Sequence, residues 1–241
     1  MDSWITFGGG QELWDELGGR FGIKHLPCGN TGVQWGGWFN KEIKSLDDMK
    51  GLKVRMPGLG GEVLRRVGAS VISLPGGEIF PALQAGTIDA TEFVGPWNDL
   101  AFGFYKVAKY YYWPGWHEPG TTLSLGVNQS VWESFSKAEQ AIITDASYAE
   151  NNVLLAEFNA RNSGALDTLI NKHGVQLREM PTDVLNAIGE FSGQVVREVG
   201  EVDDLSKRVL DSYLDFRQMV IADSRSTLEA YYAARRLPFK Y

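Results

Sequence analysis

Three short apolar runs separated by two helix-favourable stretches occupy the region from Leu52 to Phe93, and their order restricts the fold more than any other feature of the chain. "LKVRM" at 52–56 alternates apolar and basic residues as a half-buried strand does, and "PGLGGEVLRRVGA" opens a helix after glycines. "SVISL" is a second strand, "GGEIFPALQAG" a second helix ended by Gly86, and "TIDATEF" a third strand. This alternation implies an α/β fold with a parallel sheet and right-handed crossovers, in which ligands sit at the carboxyl ends of the strands. Arg55 and Glu92 both lie near such ends.

The flanks are more helical. "SLDD" at 45–48 offers a serine N-cap with an acid three residues on, and Gly51 closes that short helix. From about residue 136 the pattern is nearly continuous helix, opened by the capping box of Ser136 with Glu139 and helix-favourable to about Arg161. "GVQLREM" is a short strand candidate stopped by Pro181. From Thr182 one long helical region follows, bent at Gly200. Its apolar residues Leu205, Val209, Tyr213, Phe216, Val220, Leu228 and Tyr232 recur at steps of three and four apart from one longer gap. Such a stripe covers either its own domain or another subunit.

Composition excludes several function classes. With 241 residues, 44% of them hydrophobic, the chain can bury the core of one large domain or two small ones. A net charge of −7 leaves no excess of Lys and Arg to neutralise phosphates, which argues against nucleic acid as a partner. The single Cys28 supports neither a disulfide scaffold nor a cysteine-rich zinc site. No window approaches the roughly 18–20 apolar residues of a bilayer span. The first residues lack a basic start and an apolar run, so either the protein is cytoplasmic or a leader lies outside this sequence.

Motifs for catalysis are weak. "GLGG" at 58–61 sits between strand and helix, but Val63 stands where a dinucleotide-binding loop needs its third glycine, and a flexible start to the helix is the simpler reading. Its amides could still help to hold an anion. His25, His117 and His173 show no metal-ligand spacing, and His25 with Cys28 lacks any accompanying oxyanion motif. The aromatics are more informative: eight Trp and nine Tyr are many for this length, and they are densest in "TGVQWGGWFN" and "FGFYKVAKYYYWPGWHEPG", where they line a binding site, fill a core, or do both. In "IDATEFVGPWNDL", Glu92 and Phe93 end a strand and Gly95-Pro96 breaks the backbone. That suits a liganding carboxylate at a cleft mouth or an ordinary capped turn.

Four separated blocks, "TGVQWGGWF", "KGLKVRMPGLGGEVLRRVGA", "LPGGEIFPALQAGTIDATEFVGPWNDL" and "FYKVAKYYYWPGWHEPG", resemble in order the extracytoplasmic solute receptors of TRAP transporters, in the branch that binds 2-oxo acids and related carboxylates. The resemblance runs from about Gly29 to the C-terminus. It implies that Arg55 forms a salt bridge with the substrate carboxylate, consistent with the two parallel donors of a guanidinium. It also implies a sodium or calcium ion that bridges protein and substrate, held by Gln34, the Glu92 side chain and the Phe93 carbonyl, all oxygen donors that suit a hard cation. The family usually has Trp where Phe93 stands, so an indole donor is lost. Trp116 and Glu118 match positions that add a further pocket wall.

The same resemblance implies a periplasmic-binding-protein-like lobe with a parallel-rich sheet and long C-terminal helices. Family members carry an N-terminal half-domain ahead of the block matching "GNTGVQ", so the first lobe is expected to be incomplete. Residues 1–50 are then a remnant of that lobe with the hinge crossover, 51–130 the α/β second lobe, and 131–241 a mostly helical region with a long terminal helix. The implied biology is a periplasmic receptor that hands a small carboxylate to TRAP membrane permease subunits, with no organic cofactor, as a homodimer formed through the C-terminal helix. A metal-dependent enzyme with Glu92 as base is the alternative. The receptor reading requires Arg55 and Glu92 on one side of the sheet, neither already neutralised by an internal partner.

Overall fold

A computed structural model describes residues 1–239. In chain order the elements are α1 (Asp2–Phe7), α2 (Gly10–Gly19), β1 (Ile23–Asn30), β2 (Gly37–Phe39), β3 (Lys53–Arg55), α3 (Gly58–Val67), β4 (Ser70–Ile72), α4 (Gly76–Gln84) and β5 (Ala90–Thr91). They continue as α5 (Pro96–Phe102), β6 (Tyr110–Trp113), β7 (Thr122–Asn128), α6 (Gln129–Ser134), α7 (Lys137–Asp167), β8 (Gln176–Glu179), α8 (Thr182–Gly200), α9 (Asp204–Ser224) and α10 (Leu228–Arg235). No helix among the described residues is long and apolar enough to cross a membrane.

The main sheet has six strands in the order β4-β3-β5-β2-β6-β8. The three strands expected from the sequence form its parallel half, with β3 between β4 and β5. The strand β2 then runs antiparallel to both β5 and β6, and β8 pairs parallel with β6. The sheet is therefore mixed and draws on segments before, within and after the β3–β5 block. A separate two-stranded sheet pairs β1 with β7, Ile23 opposite Asn128, with a register shift between Pro27 and Asn30.

Strand alternation sorts the aromatics into two cores. Phe39 and Tyr112 face a cluster with Val54, Met56, Val63, Leu64, Val67 and the α8 residues Val184, Ile188 and Val195. Their neighbours Trp38 and Tyr111 face the other side, with Ile79, Leu83, Ile88, Phe104 and Leu169. Trp38, Tyr111 and Tyr112 are fully buried, so much of the "YYYW" run is core. Burying such rings supplies a large share of the hydrophobic stabilisation of the sheet.

Both expected capping boxes form, at Ser45 with Asp48 and at Ser136 with Glu139. The C-terminal region differs from the single bent helix expected there. It is three helices, because the chain leaves α8 after Gly200 and restarts at Asp203, whose carboxylate accepts from the Ser206 amide at 2.7 Å. A Cβ at Gly200 would lie 2.2 Å from the Leu210 side chain, so α8 and α9 pack closely at this turn. The expected stripe is also split. Leu205 is buried and Tyr213 packs edge-on against Trp4 at 5.4 Å, whereas Val220, Leu228 and Tyr232 are exposed.

Candidate functional site

The parallel pairing of β3 with β5 sets Arg55 opposite Thr91, and the Glu92 amide donates to the Arg55 carbonyl at 3.3 Å. Both side chains therefore leave neighbouring strand ends on the same rim. They meet in an ion pair between Arg55 Nη1 and Glu92 Oε1, with the side chains 11% and 4% exposed. Nη1 also donates to the Glu92 carbonyl at 3.2 Å, and Nε to the Leu74 carbonyl at 3.1 Å. Nη2 makes no hydrogen bond among the described residues. The expectation of two groups on one rim holds, but the requirement that neither have an internal partner does not. Each is the partner of the other, because two opposite charges removed from water at this distance gain more by pairing than by standing apart.

His117, which the sequence left as an isolated histidine, completes this group. Its Nε2 lies 3.2 Å from Glu92 Oε2, the ring is buried, and Nδ1 has no hydrogen-bond partner among the described residues. The residue sits between Trp116 and Glu118, both expected as pocket walls. Trp116 packs on the first core cluster and lies edge-on to His117 at 5.3 Å. Glu118 accepts from the Thr121 hydroxyl, and its carbonyl accepts from the Gln34 amide at 3.1 Å.

Gln34 joins the site through backbone packing. The β2–β5 register, Phe39 opposite Ala90 and Trp38 opposite Thr91, continues outward until the Trp35 amide donates to the Val94 carbonyl at 3.1 Å. The strands can run this close because Gly37 has φ +114, and a Cβ there would lie 2.3 Å from the Thr91 carbonyl oxygen. Across the other edge, a Cβ at Gly115 would lie 2.0 Å from the Gln34 carbonyl oxygen. The Gln34 side-chain amide nitrogen donates to Thr121 Oγ1 at 2.6 Å, while its Oε1 is buried without a partner among the described residues. A buried acceptor left unsatisfied costs free energy, and such groups in native folds commonly mark an ion, a water or a functional contact.

Phe93 divides its roles. Its ring leaves the rim and packs in the second core cluster, 4.6 Å from Phe102 and 5.5 Å from Phe104. The ring is partly buried there. The Phe93 carbonyl accepts no hydrogen bond among the described residues. No group of three or more His, Cys, Asp or Glu with metal-binding geometry occurs among them either. The oxygens expected to hold a cation, Gln34 Oε1, the Glu92 carboxylate and the Phe93 carbonyl, are of another kind, one carboxylate with two neutral oxygens, and the Gln34 oxygen left without a partner among the described residues fits a hard cation.

Other candidates fall away from the rim. A cavity of about 350 Å³ lined by Gln34, Trp35, Trp113, Pro114 and Leu177 borders the site only through Gln34 and includes neither Arg55 nor Glu92. Within "GLGG", Gly61 serves packing, since a Cβ there would lie 2.5 Å from the Met56 carbonyl oxygen, whereas Gly58 has open space around it and a positive φ of +60. His25 Nδ1 lies 2.7 Å from Ser124 Oγ and its ring stacks on Trp14, so the partners it shows are Ser124 and Trp14 rather than Cys28.

The ends of β3 and β5 in this mixed α/β sheet thus present a half-buried arginine and a buried glutamate, at the edge where ligands of α/β folds commonly sit. The model of the bacterial extracellular solute-binding protein family 7 (DctP) matches residues 3–202, and the chain belongs to this family. A curated relative, the monocarboxylate 2-oxoacid-binding periplasmic protein of Nostoc sp. (strain PCC 7120), is 40% identical over 223 residues, 92% of this chain. The chain spans 61% of that relative's length. A TRAP transporter solute binding protein from Bordetella bronchiseptica, solved as a mixed-occupancy dimer with calcium and picolinate, superposes with a TM-score of 0.93 at 38% identity, over 97% of this chain and 69% of the other. A TRAP periplasmic solute binding protein from Pseudoalteromonas atlantica with sodium and pyruvate gives 0.91 at 38% identity, over 99% and 71%.

Proposed function

We propose that this chain binds a small carboxylate, a 2-oxo acid such as pyruvate or a similar monocarboxylate, and passes it unaltered to the membrane permease of a TRAP transporter in the periplasm. One observation carries this reading. Arg55 and Glu92 end adjacent parallel strands on one rim of the sheet, and their nearly buried contact must open to admit a ligand; Gln34, whose backbone amide reaches Glu118 as Trp35 reaches Val94, keeps a buried oxygen without a partner among the described residues. The named relatives, which bind pyruvate or picolinate with sodium or calcium, support it. On this reading residues 51–130 are the α/β second lobe, completed in one sheet by β2 from 1–50 and β8 from 131–241, and the rest of 1–50 is the remnant of the first lobe with the hinge crossover.

Binding on this reading is an exchange. Leu74 anchors Nε, which leaves the Nη1–Nη2 edge of Arg55 for the two oxygens of a ligand carboxylate. Glu92 Oε1 occupies that edge and must turn aside first. Two carboxylates brought together repel, so the exchange requires added positive charge. A sodium or calcium ion supplies that charge when bound, and Gln34 Oε1, Glu92 and the Phe93 carbonyl are the oxygens that would hold it. The 3.2 Å contact of His117 Nε2 with the second Glu92 oxygen must yield or follow in that movement.

The enzyme alternative, Glu92 as general base, is disfavoured because both of its oxygens already face cationic or donor groups. The matched family consists of solute-binding proteins rather than enzymes. A thermal-shift panel of pyruvate, 2-oxobutyrate, lactate and dicarboxylates, each with and without sodium or calcium, tests the proposal. Stabilisation that needs both acid and cation supports it, and turnover of the acid would favour the enzyme.

A further inference from the structure

Asp99, on α5, is 1% exposed and its carboxyl collects four hydrogen bonds from three parts of the chain. Oδ1 accepts from the backbone amides of Val94 at 3.3 Å and Gly95 at 3.2 Å. Oδ2 accepts from Trp38 Nε1 on β2 and from the Tyr111 hydroxyl on β6, both at 2.8 Å. Closing the turn that opens α5 requires only the first pair. The second pair fastens the Glu92–Gly95 loop to two central strands of the sheet.

The Val94 amide belongs to the same peptide plane as the Phe93 carbonyl. Among the described residues the one cis peptide bond is Trp113–Pro114, so the Phe93–Val94 bond is trans. In a trans peptide the N–H and C=O point in opposite directions. Holding the Val94 amide on Asp99 therefore turns the Phe93 oxygen away from Asp99. The far side of the loop is fixed as well, because the Val94 carbonyl accepts from Trp35, the residue after Gln34.

We propose that Asp99 is a positioning residue for the cation site, orienting the Phe93–Val94 peptide so that the Phe93 carbonyl joins Gln34 Oε1 and the Glu92 carboxylate as an oxygen donor. The inference rests on the functional reading above. It does not depend on ionisation, since Oδ1 accepts from the two loop amides whether or not Oδ2 carries a proton. An asparagine cannot replace the carboxyl. Its amide nitrogen would confront either the loop amides or the Trp38 indole donor.

The test is calorimetric titration of sodium alone, calcium alone, and pyruvate at saturating cation into the unaltered chain, Asp99→Asn and Tyr111→Phe. Loss of the partner that orients a ligating group typically weakens metal binding about 10- to 100-fold, and Asp99→Asn is expected within that range. Pyruvate affinity at saturating cation should stay within about threefold, because Arg55 is untouched. Tyr111→Phe removes a donor from Oδ2 alone, so it should lower the melting temperature while leaving cation affinity within about twofold. Equal losses in both variants, or none in Asp99→Asn, overturn the inference while leaving the functional reading in place. No cation-dependent pyruvate binding by the unaltered chain overturns both. If Asp99→Asn does not fold, hydrogen exchange in the unaltered chain decides. The Val94 and Gly95 amides are expected to be protected and slowed further by calcium, and exchange at open-loop rates or without response to calcium overturns the inference.

Discussion

Arg55 and Glu92 end adjacent parallel strands and pair directly, so the guanidinium that faces a ligand in the proposed function already holds an internal carboxylate. The pair is a spring-loaded contact in a defined sense. Either member left alone at this depth is a poorly solvated charge, and breaking a buried pair by removing one partner typically costs about 3–5 kcal/mol. Arg55→Ala should therefore destabilise the chain by about 2–4 kcal/mol, the lower end reflecting its partial exposure. Glu92→Gln should cost less, since a neutral amide still accepts from Arg55. Urea denaturation of both variants checks the order.

Arg55→Lys separates charge from geometry. Lysine keeps the charge but loses the planar fork, so pyruvate affinity should fall about tenfold or more while stability changes little. Equal affinity in the two proteins would mean that the carboxylate is held elsewhere.

The stability of the fold should depend on pH through Asp99. Burial pushes its carboxyl from 3.8 up to about 7, against four donors that favour the charged form. The folded state thus holds the proton more tightly than the unfolded chain. Its contribution is complete below about pH 4 and is lost as pH rises through 7. Asp2 acts in the opposite sense, because hydrogen bonds from Asn151, Thr122 and Asn30 outweigh burial and hold its carboxyl below 3.8, so its contribution is lost as pH falls. Denaturation midpoints should decline in the unaltered chain between about pH 4 and 7, a range set by the two Asp99 values, and flatten in Asp99→Asn.

Gly37→Ala should damage the site without touching a ligand. The new methyl would meet the Thr91 carbonyl oxygen at 2.3 Å on a backbone with φ +114, and steric and conformational costs together come to about 3 kcal/mol or more. Loss of stability and of cation-dependent pyruvate binding should appear together. Retention of both would show that β2 and β5 can separate freely.

We further predict a homodimer formed through the exposed apolar residues of the last helices, Val220, Leu228, Tyr231 and Tyr232. Sedimentation velocity should give a dimer for the unaltered chain and a monomer for Leu228→Glu with Tyr232→Glu. A monomer in both would remove the proposal.

Local signals made the β3–β5 block and the capped helices legible, because period, glycine stops and capping boxes act within a few residues. The strands β1 and β7 were not, since β1 contains Pro27 and their pairing is settled by residues a hundred positions apart, such as His25 opposite Gly126. Continuous apolar spacing hid the break before Asp203, although an aspartate cap stands there in the sequence. His117 escaped notice because its partner Glu92 lies 25 residues away, far beyond the spacings that mark local metal or acid–base pairs. Asp99 read as part of a turn, and only burial against Trp38 and Tyr111 distinguishes it from an ordinary cap. For Phe93 the sequence supplied the carbonyl but not the rotamer, and packing against Phe102 and Phe104 turned the ring inward.

The most direct test is calorimetric titration of pyruvate into the unaltered chain and into Arg55→Ala, with and without sodium or calcium. The account predicts saturable binding to the unaltered chain that requires a cation and disappears in Arg55→Ala. Binding of equal strength without any cation, or in the arginine variant, would contradict it.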